Sequence, residues 1–297
     1  MNDENSEVNN GEAAEMSRLR FCLIFSLLVL LVYIKPLISL AMHAAAVDLH
    51  SQILLVPFIS AYLVYIQRDQ IPSKYVPFPG AVIAASFSGL VALFLAYGGI
   101  LSVLSENDYL GLMMLSFLSF LTAGGFYFLG RKWMAAVAFP IAFLIFMVPL
   151  PDALVESLET GSKLGSAEVA NWFFQLTGTP VLRDRTVFQL PGIVIEVAQE
   201  CSGIRSSWVL FITSLLASYM FLKGPWRRTV LVLLVIPLGL IRNGFRILVI
   251  GLLCVHIGPH MIHHMIHRKG GPFFFVLSLI PLFLLLWWLR RGEVRKE

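Results

Sequence analysis

The run from Thr229 to Val255 reads TVLVLLVIPLGLIRNGFRILVIGLLCV, and its only charged side chains are Arg242 and Arg246. A helix that crosses a hydrocarbon core about 30 Å thick needs roughly 20 mostly apolar residues at about 1.5 Å of rise each. This run is long enough. Comparable runs flank it at about Leu19–Ala41, Ser51–Ile66, Gly80–Ile100, Leu110–Leu129, Met134–Leu150, Ser206–Leu222 and Phe273–Leu289. Bulk composition agrees. Of 297 residues, 58% are hydrophobic and 13% charged, against about a quarter charged in a soluble domain. The mean hydropathy is +0.80. A soluble globular enzyme and a disordered or fibrous chain are excluded. The expected fold class is an all-α integral membrane protein of about eight transmembrane helices.

Charge sets the orientation, because short cytoplasmic loops retain Lys and Arg. With both termini inside, the cytoplasmic segments carry Arg18 and Arg20, Arg68 and Lys74, Arg131 and Lys132, Lys223, Arg227 and Arg228, then Arg290, Arg291, Arg295 and Lys296. The segment Ser105-Glu106-Asn107-Asp108 has no basic residue and falls outside. Residues 1–17, MNDENSEVNNGEAAEMS, read as a disordered cytoplasmic tail. No cleavable signal peptide is apparent, since the first apolar run follows Arg20 and ends without a small-residue cleavage site. A net charge of +4 with scattered basic residues gives no track for nucleic acid. Cys22, Cys201 and Cys254 are too dispersed for a disulfide framework or a CxxC-type metal site.

Residues 151–205 form the one long extramembrane segment, on the outer side between helices five and six. Asp152 is suited to capping a helix. Ala153-Leu154, Leu158, Leu164 and Trp172-Phe173-Phe174 recur at helical spacing, which suggests a small amphipathic helix on the membrane surface. Beyond Thr177-Gly178-Thr179-Pro180, Val181–Leu190 and Ile193–Val197 are β-rich and are separated by Pro191-Gly192, so a β-hairpin is expected. This insertion delivers Glu200-Cys201-Ser202-Gly203-Ile204-Arg205 to the outer end of helix six.

Three features stand out from the apolar background. A thiol at Cys201, near a helix N-terminus and with Arg205 one turn on, sits where the dipole favours thiolate. Gly203 permits close approach. The bland reading is a small packing residue. Arg242-Asn243-Gly244-Phe245-Arg246 puts two arginines four residues apart on one face of a spanning helix. Each costs roughly 2.5–3.5 kcal/mol at membrane depth on insertion scales, so each needs a partner or a role. A structural ion pair or a pore lining is the alternative. Finally, His256 to His267 holds a cluster in which His260, His264 and His267 are spaced to line one helical face. A metal site, an interfacial helix and a general acid–base histidine are all compatible with that spacing.

The topology brings the outer ends of helices six, seven and eight to one compartment. A cysteine, an arginine and a histidine meeting there suit acyl transfer. Cys201 attacks a peptide carbonyl, His267 moves protons to and from thiol and amine, and Arg246 holds the thiolate or the oxyanion. A transporter or channel lined by Arg242, Asn243 and Arg246 is the main rival. Neither a GxSx serine site nor paired glutamates of other intramembrane proteases are present.

The sequence resembles the exosortase/archaeosortase family of multi-pass membrane cysteine transpeptidases. The resemblance runs from about His50 to the last helix and rests on Val148-Pro149-Leu150-Pro151, Glu200-Cys201-Ser202-Gly203-Ile204-Arg205, Asn243-Gly244-Phe245-Arg246-Ile247 and His267-Arg268-Lys269-Gly270-Gly271. It implies that Cys201 is the nucleophile, Arg246 the arginine of an NxxR motif and His267 the histidine of an HxxxG motif. Arg242 shares a face with Arg246, and His263 and His264 lie beside His267. Residues 18–297 then form an exosortase-like transmembrane domain. The implied substrate is an exported protein with a C-terminal sorting signal: a short PEP-like motif, a transmembrane helix and a basic tail. The implied outcome is cleavage at the outer face of a bacterial inner membrane and transfer to a surface or exopolysaccharide-linked acceptor. Besides the bilayer and that signal no partner is implied, and a thiol enzyme needs neither metal nor cofactor.

Overall fold

A computed structural model describes residues 2–72, 74–98, 104–197, 203–263 and 271–294. It divides into two compact units, Met1–Asp152 and Ala153–Glu297.

The first unit comprises α1 (Asn2–Val32), α2 (Ile34–Ala46), a 3-10 turn over Asp48–Leu54, α3 (Val56–Gln67), α4 (Pro79–Tyr97), α5 (Glu106–Phe128), α6 (Gly130–Ala136) and α7 (Ala138–Phe143), the last continuing as a 3-10 turn through Met147. Two of the runs read as straight crossings are broken. The helices either side of Tyr33 meet at 67°, and those either side of Val137 at 71°. A proline explains each bend, because it has no N–H to return to the carbonyl four residues earlier. For Pro36 that carbonyl belongs to Val32, where α1 ends, and for Pro140 to Ala136, where α6 ends. Among the described residues of both units, 6 helices are long and apolar enough to cross a membrane, or up to 8 if each bent pair is one span. Residues 2–17, expected as a disordered tail, are helical and continuous with α1. Glu12-Ala13-Ala14-Glu15 are strong helix formers and extend the helix beyond its apolar part.

Buried polar contacts lock these helices at their bends. The Tyr33 hydroxyl lies 2.6 Å from Ser116 Oγ, which donates to the Gly89 carbonyl at 2.8 Å. Ser60 Oγ donates to the carbonyl of Pro140 at 2.6 Å. The two ends of α5 differ in chemistry. At its start, Asn107 Nδ2 donates to the Leu150 carbonyl and to Asp152 Oδ1, and the Asp152 amide donates to Asp108 Oδ1. At its far end, Arg18 stacks over Tyr75 and Arg131 over Phe78, and the Arg131 amide donates to the Val76 carbonyl.

The second unit holds α8 (Asp152–Leu176), β1 (Leu182–Asp184), β2 (Val187–Leu190), β3 (Ile193–Glu196), α9 (Ile204–Phe221), α10 (Pro225–His256), a 3-10 turn over Pro259–His263 and α11 (Gly271–Val294). The expected hairpin is a three-stranded antiparallel sheet. Leu182 pairs with Gln189 and Asp184 with Val187, while Val187 also pairs with Glu196 and Leu190 with Ile193. Pro191-Gly192 makes the anticipated turn, with Gly192 at φ 80. A second turn at Arg185-Thr186 splits the first β-rich stretch, and it carries none of the usual Gly, Asn or Pro signals although Arg185 has φ 52. On α8 the buried stripe is Ser166, Ala167, Ala170 and Phe174, while Leu154, Leu158, Leu164 and Trp172 remain exposed.

Two cores share α10. Phe174 of α8, Phe188 and Ile195 of the sheet, and Ile247, Ile250 and Cys254 of α10 form one. Leu210 of α9, Leu231 and Val235 of α10, and Leu282 and Leu286 of α11 form the other. Helix faces outside these cores stay apolar: Leu23, Leu27, Phe87, Phe94, Trp287 and Trp288 are all exposed. Lipid, not water, is the solvent such surfaces suit.

Candidate functional site

Gly203 is the N-cap of α9 and sits in the left-handed region, at φ 69 and ψ 8. Its carbonyl accepts three hydrogen bonds: from the Ser207 amide at 3.0 Å, the Ser206 hydroxyl at 3.1 Å and Nη2 of Arg242 at 3.0 Å. The same Nη2 donates to Ser207 Oγ at 3.1 Å. Arg242 thus reaches across from α10 to clasp the first turn of α9.

Small residues make the crossing close enough. A Cβ on Gly203 would stand 2.9 Å from Arg242 Nη2 and from Cγ and Oδ1 of Asn243. One on Gly239 would stand 2.8 Å from Ser207 Oγ. Arg242 is 7% exposed and Asn243 2%. A buried guanidinium is costly unless hydrogen-bonded, and two acceptors on α9 meet that requirement for Nη2. Nη1 is buried and has no hydrogen-bond partner among the described residues.

The remaining candidates are distributed as follows. Arg246 lies one turn beyond Arg242 on the same face of α10 and is half-buried. Arg205, in the first turn of α9, is exposed. Gly271 opens α11, and a Cβ there would meet nothing within 4 Å. Cys201, Glu200, Ser202, His264 and His267 lie outside the described residues. Of the histidine stripe, only His260 lies among the described residues. Helix α10 ends at His256, Gly258 has φ 146, and Pro259–His263 is 3-10. His260 therefore sits in a 3-10 turn, where residues three apart are eclipsed. Among the described residues, no group of three or more His, Cys, Asp or Glu is placed to hold a metal ion.

Sequence reasoning missed Ser207 and Gly239 as parts of the clasp. A usable signal was present. Gly203 and Ser207 are four apart on α9, Gly239 and Asn243 four apart on α10, and small residues at that spacing mark close helix crossings in membranes.

Fold and clasp together define a multi-pass helical membrane protein with a polar centre held between two adjacent spans. The family model described as transmembrane exosortase matches residues 44–284, and the chain belongs to that family of membrane-embedded sorting transpeptidases. No curated protein and no solved structure matches the chain.

Proposed function

We propose that this protein is a cysteine transpeptidase that cuts a C-terminal sorting signal from exported proteins. Cys201 Sγ attacks the scissile carbonyl, and Arg246 donates to the oxyanion. As the C–N bond breaks, His267 delivers a proton to the departing amine, leaving a thioester on Cys201. An amine of a surface or exopolysaccharide-linked acceptor, or water, then attacks the thioester and restores the thiol. The signal consists of a short PEP-like motif, an apolar helix and a basic tail.

The observation that carries this reading is the family match over 44–284, which encloses Cys201, Arg246 and His267. The clasp adds support. Cys201 is two residues from Gly203 along the chain, a reach of at most about 7 Å, and Gly203 is bonded to the helix that bears Arg246. The transporter reading loses support, because two of its three lining residues, Arg242 and Asn243, are buried. In this proposal the Ser105–Asp108 end faces outward from a bacterial inner membrane. The ends bearing Arg18 and Arg131, and Arg227 and Arg290, then face the cytoplasm, in keeping with retention of basic loops. The surface of α8 that exposes Leu154, Leu158 and Trp172 rests on the outer leaflet.

The test is Cys201→Ala beside Cys201→Ser, in cells carrying a tagged reporter with a Pro-Glu-Pro motif, an apolar helix and a basic end. Both variants should accumulate in the membrane and leave the reporter unprocessed. Normal processing by the alanine variant would overturn the proposal.

A further inference from the structure

We infer that Arg242 is a positioning residue for this reaction, acting through the Gly203 carbonyl and not on the reacting atoms. The inference rests on the cysteine-transpeptidase reading above.

Three observations lead to it. First, Arg242 lies inside a spanning helix, where an arginine is retained only against a substantial insertion cost. Among the described residues the salt bridges do not include it. Its observed partners are a backbone carbonyl and a hydroxyl on the neighbouring helix.

Second, the carbonyl it holds belongs to the residue that opens α9. Gly203 has left-handed dihedrals, and the direction in which the chain enters α9 depends on its φ and ψ. Three donors fix the plane of that carbonyl. Two of them, Ser206 and Ser207, belong to α9 itself. Arg242 is the donor that refers the carbonyl to α10, the helix that also bears Arg246. The clasp therefore sets the first turn of α9 relative to the helix of the proposed oxyanion donor.

Third, the reach matters. A single nitrogen, Nη2, serves both acceptors at 3.0 and 3.1 Å. A lysine ammonium also has donors for two acceptors, but its stem is one bond shorter and it lacks the rigid plane that fixes where Nη2 stands. Gly239 has no side chain where Ser207 Oγ approaches, so the second acceptor also depends on this crossing.

The experiment uses the full chain, purified in detergent and assayed on a synthetic peptide carrying a Pro-Glu-Pro motif, an apolar helix and a basic tail. Arg242→Lys should lower kcat about 100-fold, as misplacement by an ångström does, with KM within about threefold. Ser207→Ala removes one of the two acceptors and should lower kcat about 3- to 10-fold, again at constant KM, as loss of one hydrogen bond does. Unchanged kcat in both variants would overturn the inference. So would a loss confined to Arg242→Lys with Ser207→Ala unaffected, since the guanidinium would then act on the reacting atoms directly. A rise in KM alone would make Arg242 a substrate-binding group and also overturn it. If Arg242→Lys fails to accumulate, Ser207→Ala decides by the same criterion. Cys201→Ala runs beside them: if it stays active the transpeptidase reading falls, whereas an inactive Cys201→Ala with active Arg242→Lys removes only the positioning role.

Discussion

Replacing Gly203 by alanine probes the crossing of α9 and α10 at its narrowest point. Two independent costs arise. The backbone sits at φ 69, and a non-glycine residue in the left-handed region costs about 1–2 kcal/mol. The new Cβ would stand 2.9 Å from Arg242 Nη2 and from two atoms of Asn243. Neither neighbour is free to retreat: Arg242 is bonded to two groups and both side chains are buried. Overpacking of this kind costs about 1–3 kcal/mol. Together the two shift the closed contact towards opening by about 2–5 kcal/mol, or roughly 1.5 to 3.5 powers of ten. The assay is the thermal midpoint of the purified protein in detergent, read beside reporter processing. Gly203→Ala should lower the midpoint by several degrees and cut processing at least tenfold. Adding Asn243→Ala removes two of the three crowding atoms and should return part of the midpoint, but not the backbone share. A Gly203→Ala protein with unchanged midpoint and unchanged processing would refute the reasoning. A double variant less stable than the sum of its parts would refute the assignment of crowding to Asn243.

Further expectations concern the frame. Glu293, at the end of α11, accepts from the Lys223 and Gly224 amides at 3.0 and 2.7 Å and stands 3.4 Å from Arg227. Hydrogen bonds to a charged group contribute about 1.5–3 kcal/mol, so Glu293→Ala should speed amide exchange at Lys223 and Gly224 by about 10- to 100-fold, with Glu293→Gln intermediate. Equal exchange in all three proteins would remove the cap. At Gly251 a Cβ would stand 2.6 Å from Cζ of the fully buried Phe174. Gly251→Ala should therefore destabilise by about 1–3 kcal/mol in a thermal melt, and Phe174→Leu in the same chain should recover part of that, an outcome that a non-crowded site would not give.

Much of the architecture was legible in single residues. The apolar runs coincide to within a few residues with the described helices that are long and apolar enough to cross a membrane, 6 of them or up to 8 with each bent pair as one span. Pro191-Gly192 announced a turn by its chemistry, whereas Arg185-Thr186 did not, so a third strand went unread. Pro36 and Pro140 were visible too. Their effect, a helix ending four residues upstream, was hidden because Pro237 and Pro281 sit inside continuous helices under the same rule. Whether a proline bends or ends a helix is decided by what packs around it. The site divides in the same way. That Arg242 and Arg246 share a face follows from spacing alone. That Arg242 reaches Gly203 and Ser207 is a tertiary fact, 39 and 35 residues removed in sequence, and only the paired small residues hinted at it.

The cap supplied by Glu293 also imposes an order in time. The amides of Lys223 and Gly224 wait for a carboxylate that is synthesised 70 and 69 residues later. At about 5–20 residues per second, the segment leading into α10 is made roughly 4–14 seconds before that carboxylate. Until then its two amides must stay hydrated at the interface. The α10–α11 pair therefore becomes a closed unit only as the last turn of α11 leaves the ribosome.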